Sequence, residues 1–357
     1  MLIIPLFGHA AVRRRLESAI NRGTLPASLL LHGPAGIGKQ RLALWLGQRL
    51  LCDGVGNRPC GTCQQCRYTA AGTHPDLYWI FPRPRLKDSN PTAADVLTDQ
   101  GEAIADRIAA DGLYAPPSGN EGIYLATIQA VVHAAALAPA LSARKVFIIG
   151  DAERMVPQDG AEQAANAFLK LLEEPSANTN IILTSSEPGG LLPTIRSRVV
   201  ALRMARLSDA EVAEFLADER VRTYLQNQSL PRDHSELLRL AGGAPGTLLA
   251  QSALGDALAR ARLILEAATG DRTTRLHTAF VQGSTKARGG FADSLDALTV
   301  LLNERTRAAV AGADDEAAVR SVRAADAVER AKARATGNAN PQLVTFTLLG
   351  ELEAALR

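Results

Sequence analysis

The chain has 357 residues, of which 46% are hydrophobic and 21% charged, enough material for two or three domains with real cores. Its formal net charge of +2 excludes a strongly basic nucleic-acid or membrane-surface protein as a reading from charge alone. The scarcity of aromatics (4%) beside abundant Ala and Leu leans toward helix, and, since no apolar run reaches the length of a membrane span, the chain reads as cytoplasmic.

The first seven residues, ending at Leu6-Phe7, are too short and too uncharged for a signal peptide. Residues 8–23 are predicted to form an amphipathic helix, with Val12, Leu16 and Ile20 recurring every four residues and Gly23 as a stop. Leu29-Leu30-Leu31 reads as a strand. It runs into His32-Gly33-Pro34-Ala35-Gly36-Ile37-Gly38-Lys39-Gln40 and then a helix over 41–51, with Leu42, Leu46 and Leu50 on one stripe and Trp45 packed beside them. Strand, Gly-rich loop and helix is the context of a phosphate-cradling P-loop. Gly33, Gly36 and Gly38 let backbone N–H groups converge on phosphate oxygens, and Lys39 supplies a point charge to the outer phosphates. One position departs: Gln40 stands where a Ser or Thr hydroxyl would ligate Mg²⁺.

All four cysteines follow as Cys52-x7-Cys60-x2-Cys63-x2-Cys66. Four thiolates at this spacing complete a tetrahedral zinc shell, and a closed four-thiolate site is structural. His74 before Pro75-Asp76 reads as a turn residue, not a ligand, and 77–81 as the next strand. Residues 82–122, rich in Pro, Gly, Asp and Asn with a helical patch at 93–110, read as a partly mobile insertion over the surface whose function is not legible. A second amphipathic helix is predicted from Leu125 to Leu137.

Lys145-Val146-Phe147-Ile148-Ile149-Gly150-Asp151 has the composition of a buried parallel strand. In P-loop NTPases such a strand ends in two acids, one for Mg²⁺ and one for the attacking water. Here Gly150 takes the first position, Asp151 the second, and Glu153 lies off register. A helix over 159–174 with Ala165, Phe168 and Leu172 inward, a strand over 180–184, and Ser197-Arg198-Val199 complete the α/β part. From Leu207 the periodicity is helical, opened by the capping box Ser208-Asp209-Ala210-Glu211, with later helices predicted at 254–268, 274–282, 291–311, 315–335 and 341–356. The charge-and-alanine run 320–334 reads as a solvated helix face. The fold class is therefore α/β followed by all-α.

The P-loop, the cysteine cluster after the following helix, Gly72-Thr73-His74-Pro75-Asp76, the segment Asn166-Ala167-Phe168-Leu169-Lys170-Leu171-Leu172-Glu173-Glu174-Pro175, Ser197-Arg198-Val199 and Asn338-Ala339-Asn340-Pro341 occur in this order. That combination resembles the delta prime family of bacterial DNA polymerase III clamp-loader subunits, which are AAA+ proteins. The resemblance implies three domains: a RecA-like AAA+ domain over 1–204 (zinc module 52–66, insertion 82–122), a helical lid over 205–252, and a helical collar for oligomerisation over 253–357. It implies a hetero-oligomer with gamma/tau and delta subunits that loads a sliding clamp on primed DNA within a DNA-directed DNA polymerase holoenzyme. It implies that Arg198 acts in trans as an arginine finger on a neighbour's ATP, with Val199 where the family motif has Cys. Gln40, Gly150 and the Pro-Gly of 245–246 in place of a sensor arginine imply no hydrolysis by this chain and ATP binding that is weak or absent. Two competing readings are an autonomous gamma/tau-like ATPase motor and a zinc-ribbon DNA-binding protein using Arg58, Arg67, Arg83, Arg85 and Lys87; the near-zero net charge speaks against the second.

Overall fold

The computed structural model describes residues 3–356 apart from 57, 87, 89–90, 118–120, 156–161, 177, 229, 282–287 and 337–339. Short apolar runs between polar turns form five parallel strands: β1 (Ser28–His32), β2 (Leu77–Ile80), β3 (Lys145–Ile149), β4 (Thr179–Ser185) and β5 (Val200–Arg203), in the order β2-β3-β4-β1-β5. Every residue of β3 and β4 is buried, as expected when helices cover both faces of a parallel sheet. Strand alternation divides the apolar residues between two cores. Leu29, Leu31, Val146, Ile148 and Ile182 join Leu16 of α1 (Ala10–Asn21) and Leu42 and Leu46 of α2 (Lys39–Leu51). Leu30, Phe147, Ile149, Ile181 and Leu183 join Ile128 and Val131 of α5 (Leu125–Ala136), and Phe168 and Leu172 of α6 (Glu162–Glu173). A fully buried side chain such as Leu31 or Phe147 contributes about 1.5–3 kcal/mol by leaving water.

The predicted elements are present with shifted ends. The start of the helix predicted over 159–174 lies outside the described residues, as does the side chain of Ala165. β5 is an addition to the sequence reading. It is the sheet edge, and only Leu202 of its four residues is buried, so no apolar run announces it. The region 82–122 holds a 17-residue helix, α4 (Ala93–Ala109), opened by a reciprocal capping box between Thr92 and Asp95 and burying Val96, Gln100 and Ala103. It packs on β2 and α5 and so belongs to the body of the domain.

Asp76, fully buried before β2, accepts hydrogen bonds from the backbone N–H groups of Ala140 (2.6 Å), Leu141 (2.8 Å) and Ser142 (2.7 Å), pinning the turn that leads into β3. Burial opposes its charge, but those three donors win and hold its pKa below the ordinary carboxylate value. His74 accepts from the Asp76 N–H through Nδ1 and donates from Nε2 to Gln65 Oε1, so both ring nitrogens are engaged in this turn.

α7 (Pro193–Arg196) precedes the edge strand, and α8 (Asp209–Ala217), α9 (Glu219–Gln226) and α10 (His234–Ala241) follow it, with the Ser208–Glu211 capping box formed as read. Val212, Phe215 and Val221 of this helical segment are part of the same core as Leu31. Residues from 250 onward form a second unit of helices α11 (Gln251–Thr269), α12 (Arg272–Val281), α13 (Arg288–Ala311), α14 (Asp315–Thr336) and α15 (Pro341–Leu356). Its core alternates alanine with larger residues: Ala261, Ile264, Leu298, Leu302, Ala327, Val328, Ala331, Leu348 and Leu352. The 320–334 run thus has two sides. Ala324, Ala327 and Ala331 are buried, while Arg330 and Arg334 reach Glu351 at 2.9 and 2.7 Å on the outside.

Candidate functional site

The carboxyl ends of β1, β3 and β4 bring together the residues of the loop 33–39, Gly150-Asp151 and Ser185-Ser186. In an open parallel sheet this edge is where ligand sites form. Gly33 has φ +152°, and a Cβ there would lie 2.3 Å from the Met204 carbonyl oxygen, so the turn out of β1 accepts glycine alone. The loop is held from three sides. His9 donates from Nε2 to the Ile37 carbonyl (2.7 Å), and the Gly246 N–H donates to the Gly36 carbonyl (2.8 Å). Lys39 Nζ, on a side chain only 6% exposed, donates to the Gly33 and Pro34 carbonyls (3.0 and 2.7 Å) and to Ser186 Oγ (2.8 Å). Burial pushes the Lys39 pKa down, against the pull of Asp151 and Glu153.

Gln40 shows what has replaced the metal ligand. Its side chain is buried, and its Nε2 donates to Asp151 Oδ2 at 2.9 Å. Its Oε1 accepts from Trp79 Nε1 (2.9 Å), Tyr114 Oη (3.3 Å) and Arg107 (3.4 Å). The amide sits against Gly150: a Cβ at Gly150 would lie 2.5 Å from Gln40 Cδ and 2.6 Å from both amide heteroatoms. The two departures from the P-loop NTPase pattern are therefore one arrangement, in which the absent side chain of Gly150 makes room for the long one of Gln40. Arg107, delivered by α4, lies 3.3 Å from the Phe81 ring centroid, 3.8 Å from Tyr114 and 5.1 Å from Trp79. Asp151 has φ +49°, and burial, then Glu153, push its pKa up. Glu153 is turned away, accepting from the Ser186 N–H at 2.8 Å. Neither hydroxyl nor carboxylate stands at the two positions that would ligate Mg²⁺, and the Gln40 amide fills the space beside them, so these residues do not fit an Mg²⁺–nucleotide catalytic centre.

Arg107 and Tyr114 were not legible as site residues, lying 67 and 74 positions from Gln40. The available signal was aromatic: in a chain with 4% aromatics, Trp79, Phe81 and Tyr114 converge on one arginine.

The four cysteine sulfurs lie within 4.8 Å of one another. Cys52–Cys63 is 3.8 Å and Cys60–Cys66 4.0 Å, close to the ~3.8 Å that tetrahedral metal–sulfur bonds of ~2.3 Å demand. Backbone N–H groups of Cys60, Cys63 and Cys66 point at the sulfurs of Cys52, Cys60 and Cys63, respectively, at 3.3–3.4 Å, the outer hydrogen bonds that suit thiolates. The Cys63 and Thr62 N–H groups bring the half-buried Cys60 thiol to about 6, whereas burial pushes Cys63 and Cys66 up. The cluster is a fit for one metal ion.

Arg198 is apart from both clusters. At the end of α7 it donates to the Thr194 carbonyl (2.9 Å) and Ser197 Oγ (3.3 Å) and pairs with Glu173 at 2.5 Å. Among the described residues it bonds none of 33–40, and its side chain remains 28% exposed.

A protein-family model described as DNA polymerase III, delta subunit matches residues 8–208, more than half of the chain. The chain is 35% identical to the DNA polymerase III subunit delta' of Pseudomonas aeruginosa over 227 residues, covering 61% of this chain and 53% of that protein. It is 30% identical to the Escherichia coli protein of the same name, over 66% and 57% of the two chains. The tau/gamma subunit of Haemophilus influenzae matches at 23% identity over 70% of this chain and 30% of its own. The chain thus spans about half the length of the delta' relatives it matches. Among solved structures, a DNA polymerase III gamma subunit-related protein of Thermotoga maritima aligns over 96% of this chain and 99% of that one, with 16% identity and a TM-score of 0.45. Among the described residues, no helix is long and apolar enough to cross a membrane.

Proposed function

This chain belongs to the family described as DNA polymerase III, delta subunit, and we propose that it works as the delta prime-type subunit of a bacterial clamp loader, in the cytoplasm. It does not hydrolyse ATP. It assembles with gamma/tau and delta subunits, helps load a sliding clamp on primed DNA, and lends Arg198 to the ATP of an adjoining gamma/tau subunit. The observation that carries the non-hydrolysing part is the Gln40–Gly150 arrangement, in which an amide bonded to Asp151 and Trp79 fills the metal side of the P-loop. Nucleotide binding at Gly33, Gly36, Gly38 and Lys39 is weak or absent on this reading, because Lys39 is already satisfied by loop carbonyls and Ser186.

Arg198 supports the trans role through what it does not do: it serves none of its own P-loop residues and is held partly exposed, at 28%, by Glu173. A guanidinium brought to a neighbour's transferring phosphoryl is worth about 10³–10⁵ in rate in comparable NTPases. The four cysteines hold a structural Zn²⁺, whose closed thiolate shell ties the chain after α2 to α3 (Gln64–Ala70). The segment 1–204 acts as the AAA+ domain, 205–252 as a lid and 253–357 as the collar. The motor alternative is weaker: delta' relatives match at 27–35% identity against 23–24% for tau/gamma, and the missing Mg²⁺ ligands oppose turnover. The test is ATP turnover by the purified chain with Mg²⁺. No turnover above buffer is expected; hydrolysis that Lys39→Ala abolishes would overturn the assignment.

A further inference from the structure

Arg198 combines an anchored backbone with a loosely held side chain. Its turn is tied down on both sides. Ile195 is buried, Val199 packs against the same core, and the N–H groups of Ser197 and Arg198 donate to the Pro193 and Ile195 carbonyls, each at 3.0 Å. Glu173, at the end of α6, is anchored likewise: Leu172 before it is buried, and the Leu172 carbonyl accepts from Ser28 Oγ at 3.1 Å. What can change place here is the guanidinium.

A guanidinium carries five N–H donors. In Arg198, Nη1 directs its two at the Thr194 carbonyl (2.9 Å) and Ser197 Oγ (3.3 Å), and Nη2 gives one to Glu173 Oε1 (2.5 Å). Nε is buried and, among the described residues, has no partner. One Nη2 donor is left, too few for the paired fork with which arginine meets a phosphoryl group. The guanidinium is therefore withdrawn, and shallowly so. The two side chains are 28% and 45% exposed, and ion pairs that wet contribute little. The buried unpaired Nε counts against the withdrawn position as well.

We infer that Glu173 is the positioning residue of Arg198: its carboxylate holds the guanidinium back in the free chain and yields it to a phosphoryl group on an adjoining subunit. This rests on the reading of Arg198 as a trans-acting finger. Carboxylate and phosphoryl oxygens are acceptors of the same kind, so one replaces the other at Nη2, and leaving the turn frees Nε to complete the fork. Arg196, exposed on the same turn, is the internal control.

Two measurements test it. In the isolated full-length chain, phenylglyoxal modification of Arg198, followed by mass spectrometry of its peptide, should run at least about twofold faster in Glu173→Ala, with Arg196 unchanged. In the complex reconstituted with gamma/tau and delta, Glu173→Ala should raise kcat for ATP at the adjoining site by about twofold to fivefold, the worth of an exposed ion pair, with KM for ATP and the melting temperature close to wild type. In an Arg198→Ala background, Glu173→Ala should change nothing, because the carboxylate then has no finger to hold. A merely structural role would lower turnover in both backgrounds. If Arg198→Ala leaves turnover unchanged, or Arg196→Ala abolishes it instead, the finger reading falls and this inference with it. If Arg198→Ala slows turnover while Glu173→Ala leaves kcat at wild type or lowers it, or leaves the modification rate unchanged, the inference alone is overturned.

Discussion

Gly150→Ala asks whether Gln40 and Gly150 are a matched pair. A methyl group at Gly150 would sit 2.5–2.6 Å from three atoms of the Gln40 amide. The tip of a glutamine normally yields cheaply, but this one is buried and bonded to Asp151, Trp79, Tyr114 and Arg107. Moving it strands the Trp79 N–H and the Asp151 carboxylate, and a buried orphan costs about 1–3 kcal/mol. The expected destabilisation is about 3 kcal/mol, which for a unit of this size lowers Tm by roughly 6–12 °C. Gln40→Ser removes the obstruction, so adding Gly150→Ala to that background should cost less than about 0.5 kcal/mol, a coupling of about 2.5 kcal/mol across the cycle. Thermal melts of the four proteins by circular dichroism read this directly. Equal costs on both backgrounds, or a single variant melting with the wild type, would refute the steric argument.

The cysteine cluster should carry one zinc per chain by elemental analysis, and Cys66→Ala or a strong chelator should remove the metal and lower Tm, as expected where metal binding and local folding are linked. Asp76→Asn should destabilise by about 2–4 kcal/mol near neutral pH, because three backbone donors lose their anion. The sign with pH follows from its depressed pKa. The carboxylate's contribution is complete above about pH 4, the unfolded value, and is lost as pH falls through the lower folded value, so wild-type and Asp76→Asn melting temperatures should converge in acid. Arg107→Ala should shift the fluorescence of Trp79, whose ring it faces at 5.1 Å, and lower Tm by an amount consistent with about 1–2 kcal/mol.

Much of this architecture was legible because the local signals agree with one another. The leucines of β1, the apolar run of β3 and the capping box at Ser208 each specify an element without help from tertiary contacts. The same holds for the four thiols, whose two-residue spacings already close a turn around one point. β5 escaped because a strand at the sheet edge needs little apolar content; Leu202 alone is buried. The meaning of Gln40 was half-visible. Its chemistry announced a missing hydroxyl, but its partnership with Gly150 depends on strands that pair only in the fold. The role of 82–122 was invisible, since polar, Pro-rich flanks look alike whether the helix between them floats or docks; here α4 carries Arg107 to Gln40.

The most direct test of the proposal that this chain lends an arginine and does not itself hydrolyse ATP is steady-state ATP turnover by the complex reconstituted with gamma/tau and delta, comparing Lys39→Ala with Arg198→Ala in this chain. The account predicts that Lys39→Ala leaves turnover unchanged, while Arg198→Ala slows the site it adjoins by about 10³-fold or more. Loss of turnover with Lys39→Ala and none with Arg198→Ala would contradict it.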